Sequence, residues 1–300
     1  MSEPCKAWAL MTESAVYLQP AFILQQRKYR ETSLIIDALT RDFGRISLLA
    51  KGVRKAKSKT AGMLQPFIPL TISYVGKAEL KILTDVERRA CSRQAFGMHT
   101  IPGDCRTGSG PVRGIHSIPG DCRTGSLPVS DIHSIPGDII QPINTIKGMA
   151  LYCGFYINEL VACFLHKYDP HPEVFGYYGE CLSSLADGSG MEAALRLFEL
   201  NLLECAGYGL QLEYDDHEKP IEVLKKYGFN VGQGPVESVN GQISGKTLQS
   251  LSSKQLTDPQ VLSEAKLLMR MVIDVYLQGR QLKSRAVISK VFATVQRLEK

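Results

Sequence analysis

The 300-residue chain is 44% hydrophobic and 22% charged, the ordinary balance of a globular protein with apolar material for one large or two modest domains. Its eight cysteines form no CxxC pair, which argues against a disulfide framework and for reduced thiols in the cytoplasm. The net charge of +5 is too mild by itself to imply nucleic acid.

Charge is unevenly spread. Residues 1–90 hold 15 Lys+Arg against 8 Asp+Glu, residues 91–140 balance at 4 against 4, residues 141–220 hold 4 against 12, and residues 221–300 hold 12 against 6. A basic head, an acidic middle and a basic tail point to segments with different partners, or to solvated surface that is merely uneven. Met1–Val16 carries Glu3 and Glu13 and no basic run before an apolar one, so no signal peptide is expected.

The first 86 residues read as strands. Val16–Lys28, Thr32–Thr40, Phe43–Lys51, Ile68–Val75 and Glu79–Leu83 are short apolar runs split by turn residues, with Thr60–Pro66 as a connector. Five strands within about 80 residues predict a small closed or Greek-key β-barrel. In Phe43–Lys51, strand alternation turns Ile46, Leu48 and Ala50 to the core and Arg45, Ser47, Leu49 and Lys51 outward. Gly52 then turns the chain, and Arg54, Lys55, Lys57 and Lys59 follow. Such a cluster beside a strand surface can track a phosphate backbone; the competing reading is a solubilising loop. Tyr29, Phe43, Phe67 and Tyr74 are the aromatics that could stack on bases if exposed, and core packing is the plainer expectation for each.

A repeat with a period of 17 residues comes next. His99-Thr-Ile-Pro-Gly-Asp-Cys105 recurs from His116 to Cys122, then begins again at His133. The units are rich in Gly, Pro and Ser and lack an apolar face to stack, so 98–138 reads as an inserted, exposed, disordered loop within a linker, 87–147. Its His and Cys residues sit six and eleven apart in a Gly-rich chain, which is poor spacing for a structural metal, and no metal or cofactor is expected.

Residues 148–300 read as a helical domain. Met149–Leu165 is the most apolar stretch, but Asn158 and Glu159 near its middle make a buried helix a better reading than a membrane span. Met191–Ala206 carries Met191, Leu195, Phe198, Leu202 and Cys205 at helical spacing, with Glu192 and Arg196 spaced as a surface pair. Ala265–Leu277 and Arg285–Leu298 are two further amphipathic helices. Between Met191–Ala206 and Ala265–Leu277, the segment Tyr227–Ile243 contains Asn240-Gly241, a two-residue hairpin signal. Gly241 to Thr247 is one residue short of a phosphate loop, Asn240 standing where its first Gly would be, and Gly245 reads instead as the start of a short helix. No nucleophile elbow occurs. His166 and His171 flank a helix break at Asp169-Pro170, and the acids Asp169, Glu173, Glu180, Asp187 and Glu192 form no nuclease motif, so no enzyme is expected.

The order of motifs resembles the bacterial RecO family. The N-terminal match runs through Ala21 to Leu24, Arg27-x-Tyr29-x-Glu31, Phe43-Gly44-Arg45, Ala50 to Arg54 and Leu64 to Phe67. The C-terminal match includes Tyr156 to Leu160, Leu197 to Leu200, Gly207-Tyr208-Gly209 and Leu282 to Arg285. The resemblance implies an OB-fold that binds single- and double-stranded DNA, with Arg27 joining Arg45, Lys51, Arg54, Lys55, Lys57 and Lys59 as the DNA-binding set. It implies strand annealing and RecA loading with RecR on strands coated by single-stranded-DNA-binding protein (SSB), close to the nucleoid. An SSB tail ends in an apolar residue with a free carboxylate, for which Arg196, Leu202 and Lys283 are the candidate receptors. Many family members carry a four-Cys zinc module after the Gly-Tyr-Gly segment; this chain has no Cys there and resembles the zinc-free branch. The runner-up is a general OB-type single-strand binder with no mediator role.

Overall fold

The computed structural model describes residues 15–55, 58, 60–89, 146–188 and 190–298, with side chains as far as Val291. Five strands come first: β1 (Ala15–Tyr29), β2 (Ser33–Thr40), β3 (Gly44–Ala50), β4 (Pro69–Val75) and β5 (Leu80–Arg88). They close into a barrel in the order β1-β2-β3-β5-β4, antiparallel throughout except where β3 meets β5. The fifth strand runs five residues beyond the expected Leu83 because Asp85, Val86, Glu87 and Arg88 pair with β4. The barrel interior is filled by alternate residues, among them Ile23, Ile36, Ile46, Leu48, Leu70 and Ile72.

The second half holds α1 (Met149–Phe164), α2 (Pro172–Asp187), α3 (Met191–Cys205), β6 (Lys226–Asn230), β7 (Gly234–Glu237), β8 (Ile243–Ser244), α4 (Gly245–Ser252), α5 (Pro259–Tyr276) and α6 (Lys283–Leu298). Asp258 caps α5 through Gln260 N, and Ser244 caps α4 through Thr247 N. The expected hairpin exists, but its tip is Val231–Gln233, between β6 and β7. Asn240-Gly241 lies in the link from β7 to β8, two strands that flank β6 and do not pair. Gly241 is required there for space: a Cβ would stand 2.4 Å from the Tyr227 backbone.

The two halves share one core. Phe22, Leu24, Leu39 and Phe67 face out of the barrel and are buried in the same cluster as the helices. Phe22 packs on Phe175 and Tyr178 with ring centroids 5.1 and 5.0 Å apart. Asn158, buried in α1, donates to the Leu24 carbonyl at 2.8 Å and accepts from Tyr178 Oη at 2.6 Å. The two interruptions in the apolar run of α1 therefore have distinct duties, Asn158 toward the barrel and Glu159 toward α6. No helix of the described residues is long and apolar enough to cross a membrane. The 17-residue repeat lies outside the described residues.

Candidate nucleic-acid interface

Strand register places the outward side chains of β1, β2 and β3 in rows. Phe22, Leu39 and Arg45 form the row under the helices. Gln25, Asp37 and Ser47 come next, then Arg27, Ile35 and Leu49, then Tyr29, Ser33 and the chain leaving β3 at Lys51. Ile35, Leu49 and Tyr29 are half-buried and belong to neither core cluster, while Arg27 and Lys51 are exposed. The apolar floor with cations at its margins is the surface that an OB barrel offers to a single strand, bases against the floor and phosphates at the rim.

The turn from β1 to β2 and the loop after β3 extend this surface. Arg54 N donates to the Thr32 carbonyl at 2.9 Å, and its guanidinium to the Arg30 carbonyl at 3.1 Å. The Arg30 guanidinium lies 5.3 Å from the centre of the Tyr29 ring. Arg27, Lys28, Arg30, Lys51, Arg54 and Lys55 are thus gathered at one end of the barrel, all exposed, and none is ion-paired to a carboxylate among the described residues. Lys28 and Arg30 are additions to the expected set: the register of β1 against β2 places Lys28, and the bond from Arg54 to the Arg30 carbonyl places the turn there. Lys57 and Lys59 lie outside the described residues. Of the four aromatics, Phe67 is buried under the helices and Tyr74 in the barrel, Phe43 packs edge-on against Tyr74, and Tyr29 is the one left half-exposed on the outer face.

Arg45 points outward as its alternation requires, but it is not presented to solvent. Its Nη1 donates to the carbonyls of Ala162 at 2.6 Å and Leu165 at 2.9 Å, at the end of α1, and its Nε lies 3.2 Å from Asp37 Oδ2. The end of a helix leaves carbonyls without partners, and a guanidinium satisfies two of them while meeting the negative pole of the dipole. Burial pushes the Asp37 carboxyl above its usual range, against the pull of Arg45, Lys167 and Arg27. Arg45 is therefore a clamp between the halves, its guanidinium engaged by α1 and Asp37 where the sequence expectation had it free for phosphate. Lys167 at the same seam pairs with Glu79 at 2.7 Å.

The expected tail-binding residues are not brought together on a surface. Arg196 is buried, its Nη2 2.5 Å from Glu199 Oε1, which also accepts from Tyr156 Oη at 2.6 Å. The surface pair expected for Arg196 fails because Glu192 is taken by Lys266 of α5 at 2.8 Å, leaving Glu199 on the next turn as its partner. Leu202 is fully inside the core. Lys283 is exposed at the start of α6, where its backbone N–H donates to Glu159 Oε1 at 3.0 Å.

The segment after Gly207-Tyr208-Gly209 closes on itself. Asp215 Oδ1 accepts from the N–H groups of His217 and Lys219, and Tyr214 bridges Pro220. Among the described residues, no three His, Cys, Asp or Glu side chains gather to hold a metal ion. At the near-miss phosphate loop, Lys246 is paired to Asp258, and a Cβ on Gly245 would collide with the Glu222 carbonyl. The glycine there serves close packing.

Comparison with known proteins agrees with this geometry. Residues 11–90 match the family model described as Recombination protein O N terminal, and residues 147–286 match Recombination protein O C terminal. A DNA repair protein RecO from Dechloromonas aromatica is 35% identical over 293 residues, covering 95% of this chain and 98% of the relative. Another from Methylococcus capsulatus is 36% identical over 275 residues, covering 91% and 93%. A five-stranded barrel followed by a helical domain, matched in both halves and over nearly its whole length, places this chain in the RecO family of DNA repair and recombination proteins.

Proposed function

We propose that the chain is a recombination mediator that binds single- and double-stranded DNA through the outer face of its barrel. It anneals complementary strands and, with RecR, promotes loading of RecA onto SSB-coated single strands. The observation that carries the reading is the group of exposed cations Arg27, Arg30, Lys51, Arg54 and Lys55 at the barrel end that holds Tyr29, Ile35 and Leu49 on its outer face. The family is one of DNA repair proteins and not a known family of enzymes. SSB contact is assigned to the helical domain. Lys283 is the exposed cation of the three candidates, whereas Arg196 and Leu202 would meet a tail only if α3 left its packing.

Charge reversal of Lys51, Arg54 and Lys55 together tests the DNA face. Each phosphate contact on a single strand contributes about 0.7 to the slope of log affinity against log salt, so the triple variant should lose about 2 units of slope. The parent slope in a folded variant would overturn the assignment. Annealing separates mediator from general binder: a mediator anneals SSB-coated strands without nucleotide, whereas a general binder acts only on naked ones.

A further inference from the structure

The cations of the barrel face do not end at the barrel. Lys51, just past the end of β3, is six residue steps from Arg45, roughly 20 Å at about 3.3 Å per residue, and this length of the outer face leads from the basic end to the helices. A single turn of α1 separates Arg45 from α6. Glu159 receives the N–H groups of Lys283 at 3.0 Å and Ser284 at 2.9 Å, and three residues later the Ala162 carbonyl receives Arg45 at 2.6 Å. Arg280 lies three residues ahead of Lys283 in the short link from α5 to α6, its N–H on the Leu277 carbonyl at 2.9 Å.

The carboxylates along this line are already engaged. Asp37 is held by Arg45, and the Glu159 oxygens accept from two backbone N–H groups and the Ser284 hydroxyl. Lys167 is exposed at the seam, though paired to Glu79. Arg280 and Lys283 are exposed and form no ion pair with a carboxylate among the described residues. Across the surface the line runs from Lys51 and Arg27 on the barrel, past the Arg45 clamp and Lys167 at the seam, to Arg280 and Lys283 ahead of and at the start of α6.

We infer that a single strand seated on the barrel continues across the domain seam, its phosphodiester backbone meeting Arg280 and Lys283, so that one site spans both halves. The inference rests on the DNA-binding reading of the barrel and extends it. A strand of phosphates suits the arrangement better than a compact anion, because the cations form an extended series without converging on one point. The contact is sequence-independent, since it engages only the backbone.

Strand length tests it. An OB fold covers about 4–16 nucleotides, so an oligonucleotide of about 8 should fill the barrel alone and one of about 24 should also reach α6. Both are titrated as naked DNA without SSB, because Lys283 is also the exposed tail candidate. Anisotropy is read over a salt series on the full chain and on an Arg280→Glu/Lys283→Glu variant. The variant should bind the short strand within twofold of the parent. On the long strand it should lose at least tenfold in affinity and about 1.4 units of salt slope, at about 0.7 per contact. Parent-like binding of the long strand overturns the extension, as does an equal loss on both lengths. A glutamine pair at the same positions replaces the reversal if the Glu variant shifts Tm. The Lys51, Arg54 and Lys55 reversal is run alongside: if it binds both lengths like the parent, the barrel reading fails, independently of the seam.

Discussion

Arg45 is where strand alternation and tertiary packing make separate demands on one side chain. Alternation sends it out of the barrel, and the helix end above it supplies two carbonyls and a place beside Asp37. Its side chain is only 14% exposed, so its removal should register as lost stability with DNA binding preserved. Arg45→Met keeps the aliphatic stem but leaves Asp37 and the carbonyls of Ala162 and Leu165 without it. Breaking a buried ion pair costs about 3–5 kcal/mol, and the partial exposure here brings the expectation to about 2–4. Urea unfolding should show that loss, while the salt slope of DNA binding stays at the parent value; a flattened slope at full stability would return Arg45 to the phosphate-contacting set. The sequence made one half of this legible. The outward direction of Arg45 follows from the period of two in Gly44–Lys51, but its partner lies 117 residues away, and nothing local in either segment marks the pair. Arg196 is the same lesson inside one helix. Both Glu192 and Glu199 are at helical spacing from it, and the residues that hold each of them, Lys266 on α5 for Glu192 and Tyr156 on α1 for Glu199, come from other helices.

Among the elements, the strands were readable from alternation and turn residues because each barrel strand has one face toward a filled interior. Helix α2 was not anticipated. Gly176 and Gly179 with three aromatics dilute its propensity, although Val174, Phe175, Tyr178, Cys181, Leu182 and Leu185 do form a buried stripe at helical spacing. Helix α6 shows an end assembled from two elements. Its N-terminus is met by Glu159 of α1, whose carboxylate takes the N–H groups of Lys283 and Ser284 and the Ser284 hydroxyl at 2.6 Å. Burial would raise this carboxyl, but those hydrogen bonds and Arg280 outweigh it and hold it below the usual glutamate range. The native state therefore binds its proton less readily than the unfolded chain. The contribution to stability is complete above the ordinary glutamate pKa and is lost as pH falls through the lowered native value. Glu159→Gln keeps the shape and removes the charge. It should cost about 1–2 kcal/mol near neutral pH, speed hydrogen exchange at the start of α6, and cost progressively less in acid. A penalty independent of pH would show that shape alone, without charge, holds α6 in place.

For the whole molecule, the decisive feature is that barrel and helices do not own separate cores. Phe22, Leu24, Leu39 and Phe67 belong to the barrel by chain and to the helical cluster by burial, each at 5% exposure or less. Gly44 and Gly154 allow the approach: a Cβ on the first would stand 1.9 Å from the Asp169 carbonyl oxygen, and one on the second 2.9 Å from the Phe67 ring. Burying a side chain of this kind is worth about 1.5–3 kcal/mol, so exposing four by separating the halves would cost roughly 6–12. That is comparable with the entire stability of a typical domain, about 5–15 kcal/mol. Neither half should therefore melt alone, and calorimetry of the full chain should give one transition. Phe22→Ala isolates the point, because Phe22 sits on β1 yet touches Phe175 and Tyr178 of α2. The loss should be about 3–5 kcal/mol, the range for truncating a buried phenylalanine. Hydrogen exchange in the barrel strands and in α2 should accelerate together by the same factor, because both unfold through one cooperative event. Two resolved transitions, or acceleration confined to α2, would show that the barrel stands independently. The strand path across the seam would then join two bodies free to move against each other, with its length no longer fixed by the packing of α1.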